Sequence, residues 1–170
     1  EAVGLKGSNT EYYKQDHGES LYRRSIYTFW KRTSSPASMA TFDAPSRNSC
    51  SARRERTNTP LQALLLMNDV QHVEAARHFA ERIMSEGGDS TEEQMIFAFR
   101  VATSRRPSTV ELKLLVDSFS KHRAEFQSDN EASLELLGVG ESSRSEALDV
   151  GELAAWTMIA NLLLNLDEAV

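Results

Sequence analysis

Four helix-start signals constrain the fold more than any other feature of the chain. They are Thr59-Pro60-Leu61-Gln62, Ser90-Thr91-Glu92-Glu93, Ser108-Thr109-Val110-Glu111 and Asp149-Val150-Gly151-Glu152. Each begins with a residue whose side chain can accept hydrogen bonds from the free N–H groups of a first helical turn. Three positions later each carries a Glu or Gln that can reach back to the cap. Pro60 suits the first helical position, where its missing N–H costs nothing. Asn68-Asp69 can end one helix and cap the next. Helices are therefore expected near 59–67, 69–85, 91–103, 109–126 and 150–167.

The apolar residues after each signal recur at helical spacing. Val73, Ala76, Phe79, Ala80 and Ile83 form one face, and Met95, Ala98, Phe99 and Ala102 a second. Leu112, Leu115, Val116, Phe119 and Phe126 form a third. Leu61, Leu64, Leu65 and Leu66 give the first helix apolar surface. Gly87-Gly88 stops the second helix, and Pro107 fixes a turn. Gly151–Leu166 is apolar on nearly all sides, which places it at the centre of the others. Ala132–Leu137 reads as one or two helical turns, and Gly138–Leu148 as a polar loop. The fold class is all-α: a multi-helix bundle.

Residues 1–58 lack this pattern and read as a basic, largely irregular arm packed on the bundle. Tyr22, Ile26, Phe29 and Trp30 fall on one helical face, so a short helix is expected near 21–32, against a strand suggested by the β-branched and aromatic content. Thr33–Thr41 reads as a loop. Asp43-Ala44-Pro45 and Ser46-Arg47-Asn48-Ser49 are turn sequences.

Charge follows the same division. The chain carries −6 overall, made of +4 over residues 1–60 and −10 over residues 61–170. An acidic body opposes non-specific nucleic-acid binding. The lone cysteine, Cys50, excludes an internal disulfide framework and any all-Cys metal site, and no C-x-x-C-H is present for haem attachment. No apolar run approaches the roughly 20 residues of a membrane-spanning helix. There is no G-x-S-x-G, G-x-G-x-x-G, P-loop or H-E-x-x-H. Glu74 and His78 share a helix face at i, i+4, but without further ligands they read as a solvated face. His122 reads as a helix-surface residue. No cofactor is expected in this segment.

Two groups of side chains remain as binding candidates. Arg53, Arg54 and Arg56, with Tyr22 and Trp30, could hold phosphates or stack bases. The alternative is that these arginines pair with carboxylates of the helical body or with carbonyls at helix ends. Trp30, Trp156, Tyr22 and Tyr27 could line a carbohydrate surface, or simply pack in the core.

The stretch FDAPSRNSCSARRERTNTPLQALLLMND closely resembles the C-terminal part of the planctomycete domain-of-unknown-function 1553 family. YRRSIYTFWKR (Tyr22–Arg32) and DVGELAAWTMIANLLLNLDE (Asp149–Glu168) resemble it too, so the similarity runs over roughly residues 20 to 170. The sequence departs from the family pattern in two places. Ser104-Arg105-Arg106-Pro107 stands where a Gly-Arg-x-Pro turn is usual, and Val150-Gly151 where Pro-Ala is common.

The resemblance implies a large, exported, multidomain protein, often with c-type cytochrome-like domains elsewhere, and no known reaction. The chain begins with Glu1, and Glu1–Asp16 lacks a signal-peptide pattern. Together with the resemblance, this predicts the C-terminal part of a longer, extracytoplasmic protein. Its partners would be upstream domains of the same protein, or another protein. The expected role is a structural or interaction domain. The alternatives are an enzyme site shared with upstream domains, acting on polysaccharide-related substrates, and a polyanion-binding module.

Overall fold

The computed structural model describes residues 15–30, 35–46, 49–54 and 56–169. The chain divides into two compact units, Glu1–Gln62 and Ala63–Val170. Among the described residues there are seven α-helices and no strand, so the all-α expectation holds.

The first unit is mostly irregular. The helix expected near 21–32 is not formed over the described residues. A 3-10 turn at Gly18–Ser20 and another at Ser25–Tyr27 stand there instead. The physical reason is local. No side chain caps the Ser25 turn, and Thr28 leaves it in extended geometry, as the β-branched and aromatic content favours. Lys31 and Arg32 lie outside the described residues. The loop expected over 33–41 contains a short helix, α1 (Ala37–Thr41), whose last residue hydrogen-bonds back to Ala37 O at 3.0 Å.

The rest of this unit is a knot of side-chain-to-backbone bonds. Asp43 takes the left-handed backbone region (φ 57°), which Asp tolerates in tight turns. Its carboxylate accepts from the Thr57 N–H at 2.7 Å and the Thr57 hydroxyl at 2.8 Å. The Thr57 hydroxyl is the main reason the Asp43 carboxyl lies below its usual range. Gln62 is the centre of the knot. Its side chain and Thr59 exchange the two expected capping bonds, 2.9 and 3.3 Å, and its amide donates to Thr41 O at 2.8 Å.

Helix α2 (Pro60–Asn68) follows from that cap. Its burial is the reverse of what its composition suggests. The buried residue is polar Gln62, while Leu61, Leu64 and Met67 are exposed. The knot holds Gln62 in the first turn, while Leu65 and Leu66 are half-buried.

The second unit contains α3 (Val70–Glu86), α4 (Thr91–Thr103), α5 (Thr109–Ser128), α6 (Asn130–Leu137) and α7 (Val150–Leu164). The caps are as expected. Asp69 accepts from Gln71 N, Ser90 and Ser108 form complete capping boxes with Glu93 and Glu111, and Asp149 accepts from Glu152 N. Helix α7 packs against α3, α4, α5 and α6. Trp156, Leu153, Ile159 and Leu163 on it are fully buried, each removing about 1.5–3 kcal/mol worth of apolar surface from water. The Trp156 ring lies on Phe119 of α5, centroids 4.4 Å apart. Core positions Val73, Ala76, Ala80, Ile83, Met95, Ala98, Phe99, Leu115 and Phe119 are all buried.

Gly87 has an ordinary φ of −76°, so backbone freedom is not its purpose. A Cβ there would stand 2.9 Å from Gln94 Cα, so the glycine allows α4 to approach the end of α3. The positive φ belongs to Gly88.

Candidate functional site

The second unit has one concentration of buried charge, where α3 meets the segment between α6 and α7. Glu74 and Arg77 are both buried, and Arg77 lies in the middle of the apolar stripe formed by Val73, Ala76 and Ala80. They are one helical turn apart, with Arg77 Nη2 3.5 Å from Glu74 Oε1. A buried pair of this kind is tolerable only if further hydrogen bonds satisfy its remaining donors and acceptors.

The strap Gly138–Asp149 supplies part of them, while the buried Arg77 Nε and Nη1 find no hydrogen-bond partner. Ser142 N donates to Glu74 Oε1 at 2.6 Å, and the Ser142 hydroxyl also donates to Glu74 Oε1. Arg77 Nη2 donates to Ser142 O at 2.8 Å and to Ser142 Oγ at 2.7 Å. His78 Nε2 lies 2.7 Å from Ser142 Oγ, and its Nδ1 lies 3.1 Å from Glu81 Oε2. The other Glu81 oxygen accepts from Ser145 N at 2.8 Å. Gly140 makes the enclosure possible: its φ is +102°, and a Cβ there would stand 2.6 Å from Glu74 Oε2. The solvated face expected for Glu74 and His78 is thus half corrected. Glu74 is covered by the strap, while His78 keeps one side in solvent.

Ser142, His78 and Glu81 have the order and spacing of a nucleophile, base and orienting acid. Their chemistry differs. The Ser142 hydroxyl proton points to Glu74, and Arg77 fills a lone pair that attack would need. The Ser142 N–H, a natural oxyanion donor, is already bonded to Glu74. The constellation holds the strap against α3. Among the described residues, no group of three or more His, Cys, Asp or Glu could hold a metal ion.

A second electrostatic clamp lies at the connection between α4 and α5. Arg105 bonds Glu111 at 2.6 Å and Glu168 at 2.7 Å, with its guanidinium 4.8 Å from the Phe99 ring centroid. Hydrogen bonding to Arg105 is the largest reason the Glu111 carboxyl is pulled down to about 2, and it also lowers that of Glu168. The two carboxylates in turn raise Arg105. Ser104, just before it, caps α4 in the left-handed region with φ 62°.

The candidates singled out from sequence stand in different environments. Arg54 donates to Phe42 O at 2.8 Å and Asp43 O at 3.1 Å, so it caps the carbonyls just past α1. Arg53 and Arg56 are exposed. Tyr22 is exposed and Trp30 half-buried, while Trp156 lies in the core of the second unit. Cys50 is exposed. The strap network was missed. Its one readable signal is Arg77, a charge within an apolar stripe one turn from Glu74.

An all-helical chain with a buried ion pair under a strap defines an architecture rather than a reaction class. A family model described as PSD1, Protein of unknown function (DUF1553), matches residues 4–119, and the chain belongs to that family. The match ends within α5 and leaves the strap and α7 beyond it. No curated protein and no solved structure matches the chain.

Proposed function

We propose that this chain is a non-catalytic structural and interaction domain of an exported, extracytoplasmic multidomain protein of planctomycete type, associated with cytochrome-c-like domains. The observation that carries the reading is the turn at Ser25–Tyr27. Ile26, Tyr27 and Phe29 there are 76%, 67% and 71% exposed. Three large apolar side chains this exposed on one short segment exceed the single scattered residues of an ordinary surface and mark a contact face. Leu61, Leu64 and Met67 on α2 add a second exposed apolar row. The expected occupant is an upstream domain of the same protein, in keeping with the family resemblance. Among the described residues, no helix is long and apolar enough to cross a membrane.

The test is titration of the 170-residue chain with the separately expressed upstream domains of the same gene product, by calorimetry. Ile26→Ser/Phe29→Ser should weaken binding ten-fold or more, since exposed anchors of this size typically contribute about 2 kcal/mol when buried in an interface. Its thermal stability should stay within about 0.5 kcal/mol of wild type. Absence of binding by the wild type, or equal binding by the variant, would overturn the reading. A polyanion role for exposed Arg53 and Arg56 is the second reading, and predicts salt-sensitive heparin affinity lost in Arg53→Ala/Arg56→Ala.

A further inference from the structure

Within the strap, Gly140–Ala147 is attached by polar contacts to one helix. No residue of this stretch is buried. Among the described residues, no backbone-to-backbone hydrogen bond ties it to a helix. Side chains of α3 hold it instead. Glu74 accepts from Ser142 N, Arg77 donates to Ser142 O, and Glu81 accepts from Ser145 N. His78 Nε2 stands against Ser142 Oγ. Glu74, Arg77, His78 and Glu81 fall at i, i+3, i+4 and i+7, which is one face of the helix. The stretch therefore rests on a polar bed.

Its ends are fixed in another way. Val139 N donates to Leu136 O at the end of α6, and Leu148 packs against the apolar core. Between these anchors the sequence is Gly-Glu-Ser-Ser-Arg-Ser-Glu-Ala, with no large apolar side chain. Release from a polar bed exchanges each hydrogen bond for one to water, so its net cost is a fraction of the bond's strength. Release of an apolar anchor has no such exchange. The closed arrangement also carries a penalty of its own. Arg77 is 1% exposed, and its Nε and Nη1 have no hydrogen-bond partner. Opening lets water reach those donors, which offsets part of what is lost at Ser142 and Ser145.

We propose that Gly140–Ala147 is a lid that opens as one unit while the helices stay folded, uncovering the Glu74–Arg77–His78–Glu81 face of α3. The closed lid seals Glu74 and Arg77 from solvent. A partner reaches this ion pair only in the open form. Helix α7 keeps its packing on α3, α4, α5 and α6 throughout, because none of those contacts passes through the lid.

Native-state amide hydrogen exchange of the whole chain tests this, read residue by residue by NMR at fixed pH in increasing, sub-denaturing urea. A local opening exposes little surface, so exchange at Ser142 N and Ser145 N should be nearly independent of urea. Core amides of α7, such as Trp156 and Ile159, should accelerate steeply with urea, because they exchange through global unfolding. Ser142→Ala removes the hydroxyl's bonds to Glu74 and Arg77 and keeps the backbone grip. It should speed exchange at Ser145 roughly ten-fold, the size of one lost hydrogen bond to a charged group. Position 142 should accelerate by the same factor, since both grips open together. Glu81→Gln, read at Ser142 N, is the second arm if Ser142→Ala impairs folding. The lid is overturned if Ser142 and Ser145 follow the urea dependence of α7. It is equally overturned if Ser145 ignores Ser142→Ala and Ser142 ignores Glu81→Gln.

Discussion

Gly140→Ala should expose how much the strap contributes to the fold. The substitution has two separable costs. The first is backbone: a φ of +102° is open to glycine and strained for alanine, about 1–3 kcal/mol. The second is steric. The new Cβ would lie 2.6 Å from Glu74 Oε2 and 2.8 Å from Glu74 Cβ, closer than a carbon sustains against a non-bonded heavy atom. The carboxylate is buried and bonded to Ser142, so it cannot swing aside without breaking its own contacts. The strap must lift, losing hydrogen bonds to a charged group worth about 1.5–3 kcal/mol. Water then reaches Glu74 and Arg77, which limits the loss. The total is about 3–5 kcal/mol, a fall in melting temperature of roughly 10 °C for a chain of this size. Far-UV circular dichroism during urea unfolding is the assay, because helical signal comes mainly from α2 to α7. Gly138→Ala is the control: that residue has φ −82°, and the nearest atom to its Cβ is Leu134 O at 3.1 Å, so it should lose less than about 1 kcal/mol. A Gly140→Ala loss below about 1 kcal/mol, or equal losses in the two variants, would refute the account of the strap.

Three further outcomes follow from the same structure. Ser104→Gly should stabilise the chain by roughly 0.5–1 kcal/mol in thermal melts, because it relieves a left-handed cap that an L side chain adopts at a cost. Arg77→Met should cost about 3–5 kcal/mol by leaving Glu74 buried without its counter-charge, and adding Glu74→Gln should recover part of the loss in a double-mutant cycle. In acid, Glu111 has a folded-state value of about 2 against an unfolded value near ~4.3, so its contribution is complete above the unfolded value and is lost as pH falls toward the folded one. Melting temperature should therefore drop through that interval, and Arg105→Gln should flatten the drop.

The helices were legible because capping is local. A cap and its partner lie three positions apart, and the Ser90, Ser108 and Thr59 boxes form as their sequences dictate. The central place of α7 was legible because an all-apolar helix has only one stable environment. The turn at Ser25–Tyr27 was misread because a helical face of Tyr22, Ile26, Phe29 and Trp30 says nothing about a missing cap. The strap was not legible at all. Ser142 meets Arg77 across 65 positions and Glu74 across 68, and no short-range pattern reports such a pairing. The reversal of α2 was hidden for a similar reason, since Gln62 is drawn inward by Thr41, 21 positions upstream.

Because α7 is the element on which α3, α4, α5 and α6 all converge, the order of biosynthesis matters. Those four helices leave the ribosome before the helix that completes their core. Until Trp156, Ile159 and Leu163 emerge, Phe119, Met95 and Ile83 lack the helix that packs against α3, α4 and α5 together. The nascent chain must therefore wait in a partly assembled state with apolar faces open, the period in which chaperones engage and aggregation competes. A stall or truncation before Val150 would leave a set of well-capped helices with nothing to close around.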